Sequence, residues 1–188
     1  MYKGQKAICS ILLIGILCGC SLRANVNTAH SDDPYYAEHE YTESYETYIF
    51  GNGKYSIQLP EDSIFVDNSI HGLNNVYCIL SGGQYETLSI GYAEAIDNAP
   101  YYNAEEIEKE FADSGVHLNG SITSFEAVYE DNEYLGYQYM IDAGGQNRTY
   151  IGMRFINGIS FGFSSSPIDP ESSSIDTINT CIKTLQVI

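Results

Sequence analysis

Arg148-Thr149-Tyr150-Ile151-Gly152-Met153-Arg154-Phe155-Ile156-Asn157-Gly158-Ile159-Ser160-Phe161-Gly162-Phe163-Ser164 is the run whose reading decides the fold. Asn-Gly accepts the positive φ that both central residues of a type I′ turn require. Asn157-Gly158 therefore joins two antiparallel strands and fixes their register. Ile156 then faces Ile159, Arg154 faces Phe161, and Gly152 faces Phe163. Side chains alternate across a strand, so the opposite face carries Ile151, Met153 and Phe155 beside Ser160 and Gly162. Large apolar residues on both faces predict that both are covered.

Working outward, residues 122–129 and 134–142 read as two further strands, giving a four-strand meander. Their turns are Glu130-Asp131-Asn132-Glu133 and the Gly144-Gly145 loop. Upstream lies a helix over residues 103–114. Asn103 caps it, Glu106 completes the capping-box pattern, and Gly115 ends it. Ala104, Ile107 and Phe111 line its inner side, while Glu105, Glu106, Glu108 and Glu110 form a solvated face. Glu105 and Lys109 stand at a favourable i,i+4 spacing. Residues 76–80 and 86–92 form a hairpin in which Leu88, Ile90 and Tyr92 share a face. Residues 48–50 and 54–59 form another around Gly51-Asn52-Gly53, and 64–66 reads as a short edge element. Near the end, Asp169 caps a last helix that Pro170 opens, with Ile175, Ile178, Ile182 and Leu185 as its buried stripe. The expected class is α+β: one antiparallel sheet with helices packed on both faces, an α/β/α sandwich.

The first twenty residues have a different logic. Lys3 and Lys6 precede an apolar run, residues 7–17, followed by Cys18-Gly19-Cys20. A basic start, a short apolar core and small residues before a cysteine make a secretory leader. The core falls short of the ~20 residues that a membrane-spanning helix needs. These residues resemble the lipobox of bacterial lipoproteins, with Cys18 a mild departure from the usual Ala or Ser. The resemblance implies cleavage after Gly19 and a lipid on Cys20, which becomes the mature N-terminus. The expected localisation is the extracytoplasmic face of a bacterial membrane, with the membrane itself as a partner through that lipid. Each buried acyl methylene contributes ~0.8 kcal/mol to such an anchor.

The expected division is a leader (1–19), the lipidated cysteine with an acidic tether (20–47), and a globular domain (48–188). The tether carries Asp32, Asp33, Glu38, Glu40, Glu43 and Glu46 and almost no aliphatic residues, the composition of a chain without a core to build. Its Tyr35, Tyr36, Tyr41, Tyr45 and Tyr48 read as decoration of a stalk or as stacking surface for a partner. His30 and His39 lie among carboxylates with no fixed ligand spacing. The chain has 25 acidic and 8 basic residues, and losing Lys3 and Lys6 takes its formal net charge from −17 to −19. Such a field repels phosphate backbones, which excludes nucleic acid as a partner.

Cys78 and Cys181 remain after the leader cysteines depart and Cys20 takes its lipid. They read either as two separate buried thiols or as a disulfide. No Gly-x-Ser-x-Gly elbow, phosphate loop, dinucleotide fingerprint or His-Glu-x-x-His is present. No catalytic residue, metal ligand set or cofactor follows from the sequence. His71 and His117 read as surface or turn histidines. Asn147-Arg148-Thr149 and Asn119-Gly120-Ser121 match the glycosylation sequon without functional weight in a bacterial lipoprotein.

Arg154 is the candidate site residue. A covered arginine needs an acceptor, because an unpaired buried charge costs several kcal/mol. An internal carboxylate, Glu126 or Asp142, is the first expectation. A ligand carboxylate in a pocket lined by Tyr77, Tyr92, Tyr101, Tyr102, Tyr137, Tyr139 and Tyr150 is the second.

Tyr55-Ser56-Ile57-Gln58-Leu59-Pro60, the long meander and the C-terminal amphipathic helix together resemble the PsbP/Mog1-like fold, over roughly residues 48–188. The resemblance implies a fold and offers no site residues to map; the photosystem and nuclear-transport roles of that family do not carry over. The functional expectation is a lipoprotein whose domain binds an envelope protein or a small ligand and does not catalyse. The competing class is a small envelope hydrolase with an unconventional carboxylate site.

Overall fold

A computed structural model describes residues 44–81, 87–94, 101, 103–115, 117–144, 148–166 and 174–188. At the Asn157-Gly158 turn both residues have positive φ, 49° and 77°. The turn sets β8 (Arg148–Ile156) against β9 (Ile159–Ser166) in the register read from the sequence, with Arg154 opposite Phe161 and Gly152 opposite Phe163. β7 (Glu133–Asp142) and β6 (Ser121–Glu130) extend the meander on one side, joined through Asp131 and Asn132, both at positive φ. On the other side of β9 come β5 (Thr87–Glu94), β4 (Asn75–Ile79) and β3 (Ile64–Asp67). Together they form a seven-stranded antiparallel sheet in the order β3-β4-β5-β9-β8-β7-β6.

The expected single sheet with helices on both faces is not what forms. β1 (Tyr45–Phe50), β2 (Tyr55–Pro60) and β10 (Gln186–Val187) make a second sheet in the order β1-β2-β10. The described residues are mostly β, with two α-helices, α1 (Ala104–Ser114) and α2 (Ser174–Lys183). The reason lies in β2, where Tyr55, Ile57 and Leu59 are all buried. Burying that apolar set against the large sheet removes more apolar area from water than extending the sheet at its edge would. The C-terminus then supplies a third strand, with Gln186 opposite Ser56 and Val187 opposite Tyr55.

Two cores result, one on each face of the large sheet. The larger joins Phe50, Ile57 and Leu59 of the small sheet to Leu88, Ile90, Phe161 and Phe163, with Ile178, Cys181, Ile182 and Leu185 from α2 and its exit. The smaller packs Ile107 and Phe111 of α1 on Tyr137, Tyr139, Ile141, Ile151, Met153 and Phe155. α1 starts and stops as its sequence predicts: Asn103 Oδ1 accepts from the Glu106 backbone N–H at 3.0 Å, and Gly115 sits in the left-handed region. Lys109, however, pairs with Asp113 at 2.9 Å. Both side chains are exposed, so the bond adds little. The Asp169 cap and Pro170 lie outside the described residues. Among the described residues, no helix is long and apolar enough to cross a membrane.

Candidate functional site

Arg154 lies in the middle of β8 on the face of the larger core and is 7 % exposed. Its Nη1 donates to the carbonyls of Met153 (3.0 Å) and Tyr137 (3.3 Å), and its Nη2 donates to Gln138 Oε1. Gln138 then donates from Nε2 to Glu126 Oε2 at 2.6 Å. Register explains the row: Glu126 lies opposite Gln138 and Gln138 opposite Gly152, two positions before Arg154 on the same face of β8. The guanidinium carbon stands 5.3 Å from the ring centroid of Phe163. Gly152 makes room for that ring, since a Cβ there would lie 2.3 Å from Phe163 Cζ.

Burial pulls the Arg154 pKa down, opposed by Tyr150, Glu126 and Tyr134. An arginine stays charged at ordinary pH even so, because its intrinsic pKa is so high. The cation is therefore held by neutral acceptors, with a carboxylate one amide further out. Of the two carboxylates considered from the sequence, Glu126 is the one connected to Arg154, through Gln138. Asp142 instead accepts from Arg148 Nε at 3.0 Å and from the Gly144 N–H at 2.8 Å. Gln138 was not singled out in the sequence. Its place in the Tyr137-Gln138-Tyr139 alternation, polar on a covered face, was the available signal.

The tyrosines do not gather around Arg154. Tyr150 shares its face and donates to Asn179 Oδ1 at 2.8 Å. Tyr92 packs with Phe50 and Tyr55. Tyr101, Tyr137 and Tyr139 interact on the opposite face, where Phe125 stacks on Tyr137. Tyr77 is exposed on β4, and Tyr102 lies outside the described residues. Tyr45 and Tyr48, counted with the tether in the sequence, belong to β1, and Tyr48 stacks on Phe65 with centroids 4.9 Å apart. His71 and His117 are exposed. Among the described residues, no group of His, Cys, Asp or Glu is arranged to hold a metal ion. Cys20, His30 and His39 lie outside those residues.

Cys78 and Cys181 are both fully buried thiols within the larger core. Burial first, and the neighbouring Cys181 second, push the Cys78 thiol up to about 12. A reactive thiolate needs the reverse environment, so Cys78 is not poised as a nucleophile in the folded domain.

A surface feature emerges that the sequence reading named only as a short edge element. β3 is the outermost strand of the large sheet, and Ile64 (58 % exposed), Val66 and Tyr77 are exposed on β3 and β4. Val66 lies directly opposite Tyr77. Ile70 (75 % exposed) and Leu73, in the connection between the two strands, are exposed as well. Between residues 63 and 80 the one formally charged side chain is Asp67. That carboxylate is occupied by Ser69 N–H and Oγ, both at 2.8 Å, and by the Gly51 N–H at 3.1 Å.

No family model matches the chain, and no curated protein does. Among solved structures, the solution structure of cyanobacterial PsbP (CyanoP) from Synechocystis sp. PCC 6803 aligns with a TM-score of 0.52 at 14% identity, covering 87% of this chain and 99% of that one. The fold is PsbP-like. A crystal structure from Bacteroides thetaiotaomicron also aligns, at 14% identity and a TM-score of 0.40, over 76% of this chain and 48% of that chain. At such identity the likeness concerns fold alone, and function has to be argued from the surface and site of this chain.

Proposed function

We propose that the chain is a cell-envelope lipoprotein, held on the extracytoplasmic face of a bacterial membrane by lipid on Cys20, whose PsbP-like domain binds another envelope protein and does not catalyse. The lipobox-like leader supports the anchor. The observation that carries the binding half is the uncharged apolar surface of Ile64, Val66, Ile70, Leu73 and Tyr77. In a chain of net charge −17, a water-facing apolar stretch of this kind marks an interaction surface. The small-ligand reading loses ground, because both terminal nitrogens of Arg154 already donate within the domain, to Tyr137, Met153 and Gln138. The hydrolase reading has no observation among the described residues in its favour; Glu105, Glu106 and Glu108 are exposed along α1.

The test is metabolic labelling with an alkyne fatty acid, followed by membrane fractionation, on the full chain and its Cys20→Ser variant. Label and membrane retention that vanish together in the variant support the anchor. A wild-type chain without label overturns it. For the binding half, Val66→Asp with Tyr77→Ser is expected to release a partner that co-purifies with the wild-type chain from detergent extracts.

A further inference from the structure

Cys78 and Cys181 stand as two thiols in this structure; we propose that they are the reduced form of a disulfide, closed while the domain folds, that ties β4 to α2. This rests on the extracytoplasmic placement proposed above, because that is where disulfides persist. Cys78 sits mid-β4 on the inner face of the large sheet, between the buried Val76 and Leu80. Cys181 belongs to the buried stripe of α2 with Ile178 and Ile182. Both have no exposed surface and both belong to the same apolar core, and Cys181 adds to burial in pushing the Cys78 thiol up. They are the two cysteines of the described residues, and the strand and helix that carry them are 103 positions apart in the chain.

The chemistry is a thiol–disulfide exchange with a small disulfide oxidant of the glutathione type. One cysteine, as thiolate, attacks the oxidant and releases one reduced thiol, leaving a mixed disulfide. The second thiolate attacks the protein sulfur of that mixed disulfide and releases the second reduced thiol. The protein loses two hydrogens, and the oxidant gains them. Cys78 is a poor nucleophile once folded, so the exchange belongs to the folding chain, before the core excludes the oxidant. A link closing so long a loop restricts the unfolded chain strongly, and the bridged domain is expected to melt about 10 °C above the reduced one.

Two preparations of the full chain test this. One is extracted from its own envelope and blocked with iodoacetamide in denaturant before reduction, then treated with N-ethylmaleimide. The other is reduced, denatured and refolded in a mixture of oxidised and reduced glutathione, then labelled the same way. The expected result is N-ethylmaleimide on both Cys78 and Cys181 in both preparations, with a linked peptide in the non-reduced digest. A bridge after refolding but iodoacetamide on both in the envelope sample upholds the pairing and overturns the extracytoplasmic placement. Iodoacetamide on both cysteines in both preparations overturns the pairing. A Cys78→Ala chain that melts like reduced wild type, with or without reductant, assigns the melting difference to the bridge.

Discussion

Arg154 and Glu126 are coupled without touching: the guanidinium donates to Gln138, and the Gln138 amide donates to Glu126 at 2.6 Å. The buried cation is satisfied by amide and carbonyl oxygens, and its charge is balanced only at the surface end of the row. Removing one member strands polar groups that the others had satisfied. Arg154→Met is therefore expected to cost about 1–3 kcal/mol, largely from leaving the buried Gln138 Oε1 without its donor. Arg154→Met with Gln138→Leu is expected to cost less than the two single changes together, with a coupling of about 1 kcal/mol or more. Urea denaturation of the four chains measures it; strictly additive costs would remove the row from the account.

Phe163 occupies space that only glycine at position 152 leaves open, because a Cβ would also meet the Tyr137 carbonyl at 2.7 Å. Gly152→Ala is expected to destabilise the domain by about 1–3 kcal/mol through overpacking against the Phe163 ring. Equilibrium denaturation checks this, and a change within a few tenths of a kcal/mol would show that the ring moves aside freely.

Tyr139 and Tyr150 make opposite predictions from equally buried rings. The Tyr139 hydroxyl is buried with no hydrogen-bond partner among the described residues, and burial alone raises its pKa. The Tyr150 hydroxyl donates to Asn179 at 2.8 Å. Tyr139→Phe is expected to be neutral or to stabilise by up to about 1 kcal/mol, and Tyr150→Phe to cost about 1 kcal/mol. Paired melting curves decide, and the difference in sign is the readout.

Asp142 links the meander to pH. The Gly144 N–H first, then Arg148, hold its carboxyl below the usual carboxylate range, with burial opposing. A carboxyl whose folded pKa lies below its unfolded value near ~3.9 adds stability above that pH and loses it as pH falls through the folded value. Stability is therefore expected to fall below about pH 4, and less steeply in Asp142→Asn than in wild type. An acid titration followed by circular dichroism compares the two; parallel acid limbs would contradict the assignment.

The parts of the fold legible in the sequence were those governed by local chemistry. Asn157-Gly158 specified its own turn, and with it the Arg154–Phe161 register. Asn103 and Gly115 marked the two ends of α1. The second sheet was hidden because its defining contact joins β2 to Gln186–Val187, a two-residue strand with no periodicity to detect. Apolar residues such as Ile57 and Leu59 announce that they will be buried without saying against which layer. Arg154 was recognised as needing an internal partner, since burial of a charge is costly whatever the fold. The partner Gln138 escaped notice because the Gly144-Gly145 loop between β7 and β8 does not fix register as an Asn-Gly turn does. The exposed stretch around Val66 was unreadable for a plainer reason. Apolar residues on an edge strand look the same in sequence whether or not a helix covers them.

In the proposed function a lipid-anchored domain engages a protein partner through Val66 and Tyr77. Site-specific photo-crosslinking in intact cells tests it most directly, with the crosslinking residue placed at Val66, at Tyr77, and at the exposed Glu108 of α1 on the anchored chain. One discrete adduct of the same mass is expected from positions 66 and 77 and none from 108, lost when Cys20→Ser detaches the chain. Absence of adduct at 66 and 77, or the same ladder from all three positions, would contradict it.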